Sequence, residues 1–463
     1  MRIRSSRIWL FLLVLLLAAA AVTIMTRPPE PVVARNVRPQ PQAVTLGTLT
    51  QEELFDPERM WTAQLTLTTD QWNRMQPTFG GAARSSGDDW LQSAKGGRNG
   101  WGTVLGVEFA YVHVDLEFEG TRLPDVAVRF KGNGTFTNSG GKPAKNSLKI
   151  DLNKFVKGQT IAGVSTLNFH NNVTDEGLLN ETVAFRLFRE AEVPAPRTSW
   201  VRVFLSVQGR YDRQYLGLYS LVENVDTHFL NSRSADKAGA ILKPSTRNPF
   251  LDRGDSWSAA YQQTYDPKTD LTSAEQRRVI EFSQFVSTAS DSDFEARIGQ
   301  FIDIDEFARY FAVVLWLADL DGMLERGQNY YVHMPPGNGP FAFIPWDQDR
   351  TFGTWAKIEP GRYDTLSIDP PWGSSVRVRF LERMNGVPAF RNAYRSRLHE
   401  FTQTILTADS IAPFMTTVAR VIRPAVVDEP SRLARFDRSA AGQEGILPFA
   451  KLRTASVAEQ LAR

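Results

Sequence analysis

Cysteine is absent from all 463 residues, which excludes disulfides, thiol nucleophiles and zinc–thiolate sites. An excess of one charge sign is missing too. Fifty-three basic and 51 acidic residues leave a formal net charge of +2, so nothing marks a nucleic-acid binder. The 5 histidines (113, 170, 228, 333 and 399) show no metal-ligand spacing and read as hydrogen-bonded packing residues. No G-x-S-x-G elbow surrounds any serine, which removes support for a hydrolase triad. No internal repeat or heptad series is visible. The 11 Trp and 29 Phe suggest a carbohydrate-associated envelope enzyme, but no carboxylate pair is placed across a groove, and that reading is set aside.

Composition is otherwise that of a folded protein, 42% apolar and 22% charged, with enough length for two or three structural units. Arg2, Arg4 and Arg7 precede residues 8–25, 18 positions without a charge. Arginines before such a run direct export with the body outside the cytoplasm. An uncleaved signal anchor within residues 1–26 is favoured over a cleaved signal peptide, because 18 residues reach the lower limit for crossing a bilayer. The segment is then the chain's one membrane contact. Residues 27–45 follow as a proline-rich, extended linker.

Folding is expected to begin near Leu46. Residues 61–68, 107–119, 125–131, 148–152, 200–207 and 215–222 read as strands, and 178–192 as a helix ended by Val193-Pro194. Residues 78–102, rich in Gly and Ser, read as a loop. From Thr272 the pattern becomes helical: 274–286, 294–301, 304–317, 375–384, 388–405 and 408–422, interrupted by strands containing Asn329 and ending before Asp347. The fold class is α+β, with a β-rich N-lobe (46–225), an α-rich C-lobe (226–435) and a C-terminal tail (436–463). A cleft between such lobes is a common ligand site.

The chemistry concentrates in a few segments. Residues 344–353, I-P-W-D-Q-D-R-T-F-G, place Asp347 and Asp349 just after an apolar run. Hard carboxylate oxygens at a strand end suit Mg²⁺, which binds through one or two carboxylates plus substrate phosphates. Asp319 and Asp321 end another apolar segment, and Asn329 opens the strand between. An acid, an Asn, a strand and a second acid follow the order of phosphoryl-transfer sites. Upstream, Arg129, Lys131, Gly132 and Gly134 lie in R-F-K-G-N-G-T-F, where a glycine turn can cradle phosphate or simply close a hairpin. Lys145, Ser147 and Lys149 share one strand face by the period of two. Glu181, on the next helix, is a partner for such a lysine or a carboxylate at a helix N-terminus.

Taken in order, R-F-K-G-N-G-T-F, K-N-S-L-K-I, L-L-N-E-T-V-A-F-R-L-F-R-E-A-E-V-P-A-P, Y-L-G-L-Y-S-L-V-E-N-V-D-T-H-F-L, N-Y-Y-V and I-P-W-D-Q-D-R-T-F-G resemble the CotH family, the spore-coat-protein-H-like kinases, over roughly residues 46–431. The resemblance implies an atypical protein-kinase-like two-lobe fold that transfers the γ-phosphoryl group of ATP to Ser/Thr hydroxyls of envelope or secreted proteins, with Mg²⁺ or Mn²⁺. It implies that residues 131–134 cover the phosphates, and that Lys149 pairs with them and is held by Glu181. Glu223 to Asp226 would form the hinge against adenine and ribose. Asp321 (alternatively Asp319) would orient the acceptor hydroxyl. Asn329 and Asp347 would hold the metal, with Asp349 a second ligand. No H-R-D, D-F-G or V-A-I-K triplet occurs, and Asp321 and Asn329 stand eight apart. The competing reading is a non-catalytic envelope or surface assembly protein that keeps this fold for binding.

Overall fold

Alternation of apolar and polar residues builds the first half. In the computed structural model, which describes residues 44–46, 49–76, 78–79, 107–132, 145–233, 239–244, 248–325, 327–355, 363–372 and 378–463, seven strands close into a barrel. They are β1 (Met60–Leu67), β2 (Val112–Phe118), β3 (Thr121–Phe130), β4 (Leu148–Asp151), β5 (Thr166–His170), β6 (Thr198–Val207) and β7 (Tyr211–Val222). Their order is β6-β7-β5-β4-β3-β2-β1. All neighbours are antiparallel except β1 and β6, which pair in parallel from Met60↔Trp200 to Leu67↔Val207 and close the ring. Closure leaves no free sheet edge.

Alternation then sorts the side chains. Val126, Val128, Phe130, Leu148, Ile150, Leu167, Phe169, Tyr219 and Leu221 fill the barrel. The intervening residues Arg129, Lys149, Asn168 and His170 point to the other face. On β6 and β7 the outward Trp200, Leu218 and Val222 belong to a second apolar core.

That second core is built around the helix Ile304–Trp316, in which every residue from Tyr310 to Trp316 is buried. Asp303 caps its start by accepting from the backbone N–H groups of Asp305 and Glu306. A three-stranded antiparallel sheet joins it: β8 (Ala240–Leu242), β9 (Tyr330–Met334) and β10 (Ala342–Pro345), in the order β8-β9-β10. The helix Asn180–Glu190 and its flank, through Leu179, Val183, Phe185 and Leu187, also belong to this core. Residue 225 therefore does not divide the two cores, because elements on both sides of it pack together.

Several expectations shift. The strand expected over 148–152 starts at Leu148, so Lys145 and Ser147 precede it. The strand β5 was not anticipated. The tail expected from residue 436 is helical, with helices Pro430–Ala440 and Ile446–Leu461. Its Phe436, Phe449, Ala450 and Val457 are core residues. Fully buried Arg453 donates to the carbonyls of Leu315 at 2.9 Å and Trp316 at 3.3 Å. It thereby satisfies the open end of the central helix, where a cation also complements the dipole. The N-terminal hydrophobic run, the linker through 43, Gly134 and most of the 78–102 loop lie outside the described residues. Among the described residues no helix is long and apolar enough to cross a membrane.

Candidate functional site

Register decides which outward residues meet. Arg129, Lys149 and Asn168 face one another across β3, β4 and β5. One step along, Lys131 N–H donates to the Ser147 carbonyl at 2.9 Å, which sets Lys131, Ser147 and His170 in the next row. Serine in the middle is short, and Lys131 reaches past it. Its Nζ lies 2.6 Å from His170 Nε2 and 3.2 Å from Asn168 Oδ1. It also sits 4.8 Å from the centre of the Trp346 indole. His170 Nδ1 is 2.8 Å from Glu181 Oε2, on the first turn of the helix Asn180–Glu190. A neutral imidazole protonated at Nδ1 satisfies both neighbours, donating to the carboxylate and accepting from the ammonium. Burial, then the Lys131 charge, holds His170 well below its ordinary value, which favours that neutral ring.

The expected Lys149–Glu181 ion pair is not formed. Lys149 sits in the Arg129 row, and its charged neighbours are Arg129, Lys268, Asp226 and Asp151. Burial brings its ammonium down to about 8, helped by Arg129. The lysine that meets the Glu181 group is Lys131, through His170. Arg129 extends over Tyr111, 5.2 Å from the ring centre, and Gly132 takes φ +79°, a backbone shape that favours glycine.

The acidic half assembles on the second core. The helix Ile304–Trp316 gives way at Ala318, φ +51°, and the chain turns to present Asp319 and Asp321. Asp319 is enclosed, and Gln348 Nε2 donates to its Oδ2 at 3.2 Å. A Cβ on Gly322 would stand 2.1 Å from that oxygen, so only glycine fits there. Burial raises the Asp319 carboxyl to about 7, opposed by the Gln348 hydrogen bond. Asp321 is partly open, its Oδ2 3.8 Å from Arg350 Nε. Asn329 Nδ2 donates to the Asp321 carbonyl at 3.2 Å, and Trp346 N–H to the Asn329 carbonyl at 3.0 Å. The β9–β10 hairpin thus brings Asn329 beside the W-D-Q-D segment although they are distant in sequence. Asn329 and Asp347 both hold left-handed backbones, φ +61° and +56°, and Phe352 does so at +58°. Such departures cost energy and cluster at functional sites.

Asp347 projects from the end of β10 and is half-buried. Asp349, likewise half-buried, faces the start of the helix Asn180–Glu190: Thr174 donates to its carboxyl, and Asn180 Nδ2 to its carbonyl at 3.1 Å. Burial and then the Asp347 charge push the Asp349 carboxyl well above its ordinary value. The same two causes raise Glu181. His170, Glu181 and Asp347 offer ligand atoms all within 4.8 Å of one another.

Of the hinge residues, Glu223 is committed. Arg197 holds it at 2.7 Å and Arg233 grips its other oxygen. These arginines keep its carboxyl below the usual range despite burial. Asp226 caps the short helix Thr227–Asn231 by accepting from the backbone of His228 and Phe229. The structure thus gathers Lys131, Glu181, Asp347, Asp349, Asn329 and Asp321, and leaves Lys149 one row away. Sequence reasoning missed His170, Gln348 and Lys243. The alternation T-L-N-F-H over 166–170 was the available signal for a strand presenting Asn168 and His170 on its polar face.

A sequence-family profile described as "CotH kinase protein" matches residues 128–457. "Inner spore coat protein H" of Bacillus subtilis (strain 168) is 23% identical over 341 residues, covering 72% of this chain and 84% of that protein. "Invasin CotH7" of Rhizopus delemar is 21% identical over 275 residues, covering 58% of this chain and 44% of its own length. A chain from the solved Shewanella oneidensis MR-1 complex of HipA, HipB and operator DNA aligns over 64% of this chain and 57% of its own. Its identity is 15% and its TM-score 0.29, a value from which no common fold follows.

Proposed function

Because the chain belongs to the CotH kinase protein family, matched over residues 128–457, we propose that it transfers the γ-phosphoryl group of ATP to Ser/Thr hydroxyls of proteins outside the cytoplasm, with Mg²⁺ or Mn²⁺. The observation that carries this reading is the chain Lys131–His170–Glu181 set against Asp347. Two kinds of unrelieved charge stand side by side. Beyond burial, Lys131 is repelled by Lys243 and Lys149 and attracted by Asp347 and Glu181, and Glu181 and Asp349 are raised by burial and then by Asp347. A divalent cation relieves the acids and a phosphate chain relieves the ammoniums, so one ligand, a metal-bound polyphosphate, answers both.

Asp347 is the residue that would hold the metal, with Asp349, Glu181 and Asn329 around it, while His170, its ring nitrogens facing Glu181 and Lys131, would orient those two. Carboxylate and amide oxygens suit Mg²⁺ and Mn²⁺ alike. The ion's contribution is to neutralise charge on the transferring group. Lys131 positions the phosphates and is itself fixed by His170 and Asn168. Asp321 reaches the open side and orients the acceptor hydroxyl, while enclosed Asp319 holds Gln348 and the turn in place. In the transfer, the bond from the γ-phosphorus to the β-bridging oxygen breaks and a bond to the hydroxyl oxygen forms. The hydroxyl proton passes to Asp321 and ADP leaves. No covalent enzyme intermediate is required.

Arg2, Arg4 and Arg7 before the uncharged run support the export part of this reading, with substrates on the far side of the membrane. The two relatives, named as a spore coat protein and an invasin, support a second reading in which the fold serves surface assembly without catalysis.

The test is transfer of labelled γ-phosphate by the purified full chain with Mg²⁺ or Mn²⁺. Asp347→Asn is expected to abolish incorporation and leave the circular dichroism spectrum intact. Undiminished incorporation in that variant would defeat the metal assignment, and a wild type that binds no nucleotide would favour the surface-assembly reading.

A further inference from the structure

Two half-buried lysines share one indole. Lys131 Nζ lies 4.8 Å from the centre of Trp346, and Lys243 Nζ lies 5.3 Å from it. They arrive from different places. Lys131 follows β3 of the barrel, whereas Lys243 follows β8 of the second core, fixed by its N–H donating to the Tyr265 carbonyl at 2.7 Å. Lys243 also lies 5.2 Å from the Tyr331 ring. Trp346 is the residue immediately before Asp347, so both ammoniums border the acid proposed to hold the metal.

What these lysines lack is informative beside another lysine of the same chain. Lys145 is similarly enclosed, with 15% of its side chain exposed, and it forms an ion pair with Glu429. That is the ordinary arrangement for a structural lysine, since an unpaired buried charge is costly. Among the described residues no carboxylate lies within ion-pair distance of Lys131 or Lys243. Lys131 has only the neutral acceptors His170 and Asn168, and Lys243 has aromatic faces. The charged groups around Lys243 are Lys268 and Lys149, which repel it, and Asp347 and Asp266, which attract it. Lys268 is already paired with Asp266.

We propose that Lys243 and Lys131 form a two-lysine clamp astride Trp346 that grips the phosphate groups of a metal-bound polyphosphate, one lysine supplied by each core. The clamp deepens the phosphotransferase reading and rests on it for the identity of the ligand. A lone carboxylate ligand would neutralise the lysines but would meet Asp347 with nothing to offset it. A phosphate chain carrying a divalent cation satisfies both. Because the lysines stand on different cores, the chain of phosphates also ties those cores together.

The probes are Mg²⁺ with inorganic tripolyphosphate and Mg²⁺ with ATP, titrated calorimetrically into the full chain. Lys243→Met should weaken both at least tenfold, as loss of a charge-assisted contact does. Lys243→Arg should stay within about threefold of wild type, because a cation is restored. Without ligand, the melting temperature of Lys243→Met should equal or exceed that of wild type, because an unpaired ammonium has been removed. Unchanged affinities in Lys243→Met, with the wild type binding, would overturn the clamp and leave the phosphotransferase reading standing. A Lys243→Met melting temperature several degrees below wild type would make the lysine structural and would also overturn it. Tripolyphosphate binding that depends on Lys243 in a chain that ignores ATP would keep the clamp and defeat the kinase reading. Binding of neither probe by the wild type would defeat both.

Discussion

The two faces of β3, β4 and β5 follow opposite rules. Inward, Val128 and Phe130, Leu148 and Ile150, and Leu167 and Phe169 fill the barrel and are almost fully buried. Outward from the same strands, and just beyond β3, stand Arg129, Lys131, Lys149, Asn168 and His170. Two lysines there hold protons less readily than in water, and Glu181 and Asp349 opposite hold them more readily. The inner face contributes stability by removing apolar area from water. The outer face gives up stability to keep charges close together without cancelling them. Substitutions on the two faces should therefore move stability and activity in different combinations.

The largest effect on stability belongs inside. Phe169→Ala should lower the unfolding free energy by about 3–5 kcal/mol, the usual cost of truncating a buried aromatic. Urea denaturation measures it, and a loss below about 1 kcal/mol would show that the barrel is not a packed core. Lys131→Met, one row away on the other face, should reverse the pattern. Phosphoryl transfer should fall at least a hundredfold, about 2.7 kcal/mol of transition-state stabilisation, with no loss of unfolding free energy. Lys149→Met should cost transfer less, since Lys149 lies outside the Lys131–His170–Glu181 chain. A destabilised Lys131→Met would erase the distinction between the faces.

A third, smaller effect sharpens the comparison through pH. Asp175 is fully buried before the helix Asn180–Glu190; its Oδ2 accepts from Asn180 N–H at 2.7 Å and its Oδ1 has no partner. Burial raises its carboxyl to about 7, so the folded chain keeps a proton that the unfolded chain has lost. The stability this group supplies is complete below its unfolded value near 4 and is lost as pH rises through about 7. Asp175→Asn retains the hydrogen-bonding shape without the titration. Its unfolding free energy relative to wild type should therefore rise from pH 4 to pH 8, by on the order of 2 kcal/mol. A difference that is flat with pH would show that Asp175 is ionised in the fold.

What could be read from the sequence follows from how local each signal is. Asp347 and Asp349 were legible because an apolar run ends at them, and Lys131 because glycine follows it. The helix carrying Glu181 was legible from its spacing. The partner of Glu181 was not. It depends on which residues β4 and β5 set opposite one another, and β5 itself went unrecognised. A register two residues different keeps the same residues inward and would have aligned Lys149 with the His170 row, and nothing within residues 145–152 distinguishes the two. Barrel closure joins β1 to β6 across more than a hundred residues, beyond any periodicity. The C-terminal helices were missed because Arg453 and Arg438 make that segment read as polar, although Arg453 is spent on the carbonyls of the central helix.

In the proposed function, the outer face and Asp347 hold opposed charges that a metal-bound nucleotide relieves together. The melting temperature of the full chain, with EDTA, Mg²⁺ alone, ATP alone and both, tests it most directly. At a hundredfold excess over the dissociation constant, Mg²⁺ with ATP should stabilise by about 2.7 kcal/mol, a rise of roughly 3 °C for a chain of this size. Either component alone should give less, and Asp347→Asn should lose the cooperative part. An unmoved melting temperature under all four conditions would show that these charges are not relieved by a metal-bound nucleotide.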